Sequence, residues 1–143
     1  RELHLPVVNA VGSLPRDTFF AGGSILRVET SDTHPVMAGM SAQSDIFFER
    51  SPVFDTAAGF EGTVLASYAK AGSPLISGYL LGERKLQGKA AAVDVRHGDG
   101  HVVLLGFRPQ WRGQPWASFR VLFNSVLFHG EVARSAGEPT GEP

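Results

Sequence analysis

The sequence predicts an α+β domain: a mixed, largely antiparallel sheet with one C-terminal helix packed on it. Short stretches rich in β-branched and apolar residues recur from Ser24 to Phe107, each closed by Gly, Pro, Asp or Ser. A tight Gly-rich turn, Arg96-His97-Gly98-Asp99-Gly100, divides two of them. Helical spacing of large apolar residues emerges only near the end, between Pro115 and His129.

The opening residues, 1–21, carry Pro6, Gly12 and Pro15 among apolar residues without a clean period, and read as an irregular arm or short strand. Ser24 to Thr30 mixes Ile25, Leu26 and Val28 with Arg27, Glu29 and Thr30, as a half-buried strand does. Asp32-Thr33-His34-Pro35 reads as a turn, because Asp and Thr side chains bond nearby backbone and Pro35 disfavours helix before it. Met37 to Met40 follows as a turn. Asp45 to Arg50 is a strand stopped by Pro52, and Val53, Phe54 and Phe60 flank the turn Ala57-Ala58-Gly59. Thr63 to Ala69 and Leu75 to Leu81 are further strands, with Gly78 a bulge position in the second. Gly82 to Gly88 is a polar loop. Ala90 to Val95 and His101 to Phe107 form a hairpin, with Gly98 and Gly100 expected to supply positive φ angles.

In the final element, Trp116, Phe119, Leu122, Phe123, Val126 and Leu127 fall at helical spacing. That apolar face is expected to lie on the sheet, since each large apolar side chain fully buried is worth about 1.5–3 kcal/mol. Pro115 suits the first turn, His129 the carbonyl end and Gly130 the stop. The domain is expected to span 1–133, with 134–143 a disordered tail of small, polar and proline residues.

At 143 residues the chain suits one domain, and 43% hydrophobic with 19% charged residues places it among folded proteins. Thirteen basic and fourteen acidic residues give a formal charge of −1, with no basic cluster, which argues against nucleic acid as a partner. The chain has no cysteine, so disulfides, thiolate nucleophiles and Cys-ligated metals are excluded. No apolar run approaches the ~20 residues of a spanning helix, so no membrane partner is expected. Arg1 to Leu5 lead into no long apolar stretch, so no signal peptide is read; the non-Met first residue fits processing or excision from a longer chain. Composition leaves the compartment open.

The histidines are His4, His34, His97, His101 and His129, and none forms H-x-x-x-H or H-E-x-x-H. His97 and His101 flank the hairpin turn with Asp99 between them; solvated polar groups explain them better than a metal, so neither metal nor cofactor is expected. No G-x-S-x-G elbow, Walker pattern or G-x-G-x-x-G occurs. The segment Gly106-Phe107-Arg108-Pro109-Gln110-Trp111-Arg112-Gly113-Gln114 lies between a strand and a helix. There Arg108, Gln110, Trp111, Arg112 and Gln114 are candidate ligand-binding residues: guanidinium groups clamp anions and an indole stacks. The alternative is that both arginines brace the loop against carbonyls and carboxylates such as Glu83 or Asp94. Candidate catalytic residues are Arg108 and Arg112 as anion stabilisers, with His97, His101 or Asp94 in proton transfer.

Leu80-Leu81-Gly82-Glu83, Gly88-Lys89-Ala90-Ala91 and the run from Gly98 to Gln114, GDGHVVLLGFRPQWRGQ, together with GGSILRVETSDTHPVMAGM and FFERSPVFD, resemble the C-terminal region of bacterial zinc-carboxypeptidase-family proteins. In that family a domain similar to class I glutamine amidotransferases follows the peptidase domain. The resemblance covers roughly Phe19 to Phe128 and implies that the chain is a fragment of an α/β amidotransferase-like fold, begun after the first βα units. It also implies a secreted or periplasmic parent, with a peptidase domain as a partner. Active amidotransferases carry F-H-P-E where this chain reads Phe107-Arg108-Pro109-Gln110. Arginine is no base at neutral pH, the nucleophilic cysteine is missing, and the peptidase H-x-x-E motif does not occur, so neither parent activity is expected.

A truncated sheet exposes an edge and apolar faces, which predicts a homo-oligomer. The function expected is that of a non-catalytic accessory, ligand-binding or assembly domain. The alternative is a small cofactor-free hydrolase for activated esters, with its pocket formed at an oligomer interface.

Overall fold

Strand follows strand through the first hundred residues of the structure, a computed structural model that describes residues 3–113 and 116–128, with Arg112 described by its backbone alone. The strands are β1 (Val7–Asn9), β2 (Phe20–Ala21), β3 (Ser24–Thr30), β4 (Gln43–Phe48), β5 (Phe54–Thr56), β6 (Gly62–Ser67), β7 (Leu75–Ser77), β8 (Leu80–Leu81), β9 (Ala90–His97) and β10 (Gly100–Leu105). One α-helix, α1 (Phe119–Leu127), follows them among the described residues. The fold is α+β.

The main sheet runs β1-β5-β9-β6-β3-β4, with β10 also on β9 and β7 also on β3; β2 and β8 form a separate pair. Every strand pairing among the described residues is antiparallel, so the sheet contains no parallel half. β9 is the centre. Ala90 to Val95 are all buried, since β6 and β10 flank the strand and small or branched side chains permit cover on both faces. Val93 and Val95 pack with Phe54 in a small cluster, while Ala91 and Ala92 join the main core around Leu26, Ile46, Phe48, Leu65 and Tyr68. Past β10, the Arg108 amide donates to the Phe47 carbonyl at 3.0 Å, tying this segment back to β4.

The hairpin forms as expected, with a two-residue turn at Gly98-Asp99. Only Gly98 needs the left-handed region there, at φ +58°; Gly100 already belongs to β10. The stretch Leu75 to Leu81 breaks into β7 and β8, because Gly78 turns the chain at φ +99°. Of the two readings of the N-terminal arm, the short-strand one holds in part: it supplies β1 and β2.

The helix departs most from expectation. A 3-10 turn, Trp116–Ser118, precedes α1, and the expected ends at Pro115, His129 and Gly130 lie outside the described residues, as does the tail 134–143. The helix packs on the sheet's core as expected, through Val121, but most of the expected apolar face points outward. Trp116, Phe123, Val126 and Leu127 are 77%, 64%, 74% and 68% exposed, while Val121 is fully buried. The reason is the surface on which the helix sits. The 3-10 turn Pro35–Met37 leaves the carbonyls of Val36, Ala38 and Gly39 facing α1. Carbonyls at a turn end need donors. Asn124 Nδ2 donates to Val36 and Ala38, both at 3.0 Å, and Arg120 donates to Gly39 at 3.0 Å. The polar side of the helix therefore faces inward. No helix among the described residues is long and apolar enough to cross a membrane.

Candidate functional site

A charged residue inside a buried strand needs partners, because an unpaired buried charge costs several kcal/mol. Asp94 sits in the middle of β9, and its side chain is 2% exposed. Strand register decides what reaches it. Asp94 pairs with Val103, and His101 pairs with Arg96. Side chains alternate along a strand, so His101 lies diagonally beside Asp94 on the same face and His97 points to the other. His101 Nδ1 meets Asp94 Oδ2 at 2.8 Å.

The second partner comes from the turn after β3. His34 caps the 3-10 turn Pro35–Met37: its Nδ1 accepts from the Val36 amide at 3.3 Å. That bond fixes the tautomer, so Nε2 carries the proton and donates to the same Asp94 Oδ2, at 3.2 Å. His34 is 5% and His101 20% exposed at the side chain. Phe128 lies edge-on to both imidazoles, with centroids 5.0 Å from His34 and 5.3 Å from His101.

One carboxylate oxygen thus accepts from two histidines, while Asp94 Oδ1 is buried with no hydrogen-bond partner among the described residues. An ionised carboxylate only accepts, so His101 donates from Nδ1 and its Nε2 lies on the far side of the ring from Asp94. An imidazole held this way by a carboxylate has the orientation that general-base chemistry uses. No group of three or more His, Asp or Glu side chains among the described residues has the arrangement to hold a metal ion.

The loop after β10 stands apart from this cluster. Arg108 Nε donates to the Glu49 carbonyl at 3.2 Å, and its guanidinium lies 5.0 Å from the Trp111 ring centroid. Trp111 in turn stacks on Phe47 at 6.3 Å. These contacts brace the loop on the end of β4 through a carbonyl and a ring, not through Glu83 or Asp94. Gln110 is exposed in the turn beside it. The Arg112 side chain and Gln114 lie outside the described residues.

The structure therefore joins Asp94 to His101, leaves His97 exposed on the other face, and keeps Arg108 on a separate loop. His34 and Phe128 complete the cluster, and sequence reasoning passed over both. A usable signal existed for the centre: Asp94 interrupts a run of small apolar residues in a strand, where a charge requires a partner. Compared with protein-family models, curated proteins and solved structures, the chain matches none.

Proposed function

We propose that this chain is a non-catalytic assembly domain that pairs with a second copy of itself through the outward face of α1. The observation that carries this reading is the exposure of Trp116, Phe123, Val126 and Leu127. Phe123, Val126 and Leu127 stand at i, i+3 and i+4, so they form one patch. With Trp116 it offers on the order of 500 Å² per copy, or about 1,000 Å² for a pair, which reaches the lower bound for a specific interface.

A second copy is the occupant that charge favours. Arg120 is the helix's one charged residue, and it is already bonded to Gly39. Two such faces meet without like-charge repulsion and without stripping water from an ion. A face that meets itself about a twofold axis closes into a dimer. In a longer protein of the peptidase type that the sequence resembles, this pairing would join two parent chains.

Sedimentation equilibrium from about 1 to 500 μM tests it, since a pair of this size is expected in the micromolar range. The parent chain should dimerise, and a Phe123→Lys/Leu127→Glu variant should stay monomeric with its helical circular dichroism intact. A parent that stays monomeric throughout, or a variant that dimerises as well, overturns self-pairing.

The Asp94–His101 pair favours a second reading, a cofactor-free hydrolase of activated esters. The supporting point is the orientation of His101 Nε2. Hydrolysis of 4-nitrophenyl acetate by the parent, lost in a folded His101→Gln variant, would replace the assembly reading. A rate unchanged in that variant would remove this one.

A further inference from the structure

A cleft of about 320 Å³ opens between the turn after β1, the segment leading into β2 and the end of β4. None of its lining residues belongs to α1 or to the Asp94 cluster. Its floor is apolar: Val11, Phe19 and Phe48 come from the main core, with Phe19 and Phe48 edge-on at 6.1 Å. Its polar lining is of one sign. Arg16 and Arg50 stand on it, no carboxylate lines it, and neither arginine has an ion pair or side-chain hydrogen bond among the described residues.

Two local features hold donors toward this space. The Asn9 carboxamide is oriented by its oxygen, which accepts from the Val11 and Val53 amides, both at 3.2 Å. That leaves Asn9 Nδ2 with no acceptor among the described residues, and only glycine at position 12 makes room for it: a Cβ there would stand 2.6 Å away. Arg50 adopts φ +48°, a left-handed conformation that is unfavourable for a side-chain-bearing residue. The preceding backbone is pinned around it. Ser51 Oγ donates to the Glu49 carbonyl at 3.2 Å, and Arg108 Nε donates to that same carbonyl. Glycine would adopt this conformation without strain. The chain instead places there a cation that has no partner among the described residues.

We infer that this cleft binds a small carboxylate on an apolar body, with Arg16, Arg50 and the Asn9 amide at the carboxylate and the body against Val11, Phe19 and Phe20. The volume lies at the small end of the range for ligand sites, ~300–1,000 Å³. A planar guanidinium matches a carboxylate through paired N–H bonds, and an apolar floor gains nothing from an inorganic ion.

The test is titration of the full chain, followed by amide NMR shifts, with 4-phenylbutyrate, 4-phenylbutyramide and inorganic phosphate. The acid is expected to shift amides near Asn9, Arg16 and Arg50, and to bind at least about tenfold more tightly than the amide or phosphate. Arg50→Gly should weaken the acid by about tenfold or more while holding or raising Tm, because it also relieves the backbone. That separates lost binding from lost folding. Arg50→Lys should retain part of the affinity. Equal binding of acid and amide, unchanged affinity in Arg50→Gly, or no shifts up to about 10 mM acid would overturn the site.

Discussion

The inward side of α1 predicts a local unfolding that the sheet does not share. Asn124→Asp replaces an amide donor by a carboxylate that faces two carbonyls, those of Val36 and Ala38. Two hydrogen bonds worth about 1 kcal/mol each are lost, and the carbonyls left facing an anion add about 1–3 kcal/mol. Besides the half-buried Phe119 and Leu122 and the anchors at its two ends, Ser118 and Phe128, two contacts hold the helix. Val121 is its one fully buried side chain, worth about 1.5–3 kcal/mol, and the Arg120 bond to Gly39 adds about 1 kcal/mol. Nine residues are too few for an autonomous helix, which needs ~12–15. Losing about 3 kcal/mol from such a sum should open α1 without opening β9. Hydrogen exchange read by mass spectrometry at low concentration is the assay. Amides of α1 should lose protection about a hundredfold, and those of β9 should change by no more than about threefold. Ser125→Ala, which removes only a bond to Val121 within the helix, is the control and should leave both regions protected. If β9 loses as much protection as α1, helix and sheet unfold as one unit. If α1 keeps its protection, Asn124 does not hold it. Either result refutes the reasoning.

Three further outcomes follow from single contacts. Burial pushes the Tyr68 phenol up, keeping it neutral, and its hydroxyl has no partner among the described residues, so Tyr68→Phe should raise stability by up to about 1 kcal/mol in urea unfolding; a loss of that size would mean the hydroxyl is satisfied. A Cβ at Gly62 would overlap the backbone oxygen of Asp94, so Gly62→Ala should cost more than about 3 kcal/mol in the same assay, and a neutral result would mean β6 can move off β9. Arg108→Ala removes a bond to the Glu49 carbonyl and the cation over Trp111, so it should lower stability by about 1–2 kcal/mol and shift Trp111 fluorescence; an unchanged melting curve would show that Arg108 does not brace the loop.

Local signals and tertiary demands divide what was legible in the sequence. The hairpin is written locally, since Gly98 and the flanking branched residues suffice to form it. The rest of the sheet was not written locally: of its pairings only β3–β4 and β9–β10 join consecutive strands, so the order of the others is set by tertiary packing. The Asp94–His101 contact was half legible: both residues stood out as candidates, and only the register showed that His101, not His97, shares the face of Asp94. His34 was illegible in its role because its partner lies 60 residues away, and a histidine before proline looks like any turn. The helix was misread for a physical reason. Periodicity says which side is apolar, but not whether the surface beneath is apolar. Here that surface presents three carbonyls, and Asn124 and Arg120 outweighed the hydrophobic face.

That inversion bears on assembly. Turning α1 over would bury Phe123, Val126 and Leu127, worth about 2 kcal/mol each. It would also break three hydrogen bonds of about 1 kcal/mol each and strand their carbonyls at about 1–3 kcal/mol apiece. The observed orientation is therefore favoured in an isolated chain by up to about 6 kcal/mol, before the burial of Val121 is counted. An outward apolar face that a second copy covers adds apolar burial to those polar bonds instead of competing with them. The same helix ends against Phe128, which lies on His34 and His101. Covering α1 would therefore also steady the residue that roofs the Asp94 cluster, so pairing and the solvent access of His101 should change together.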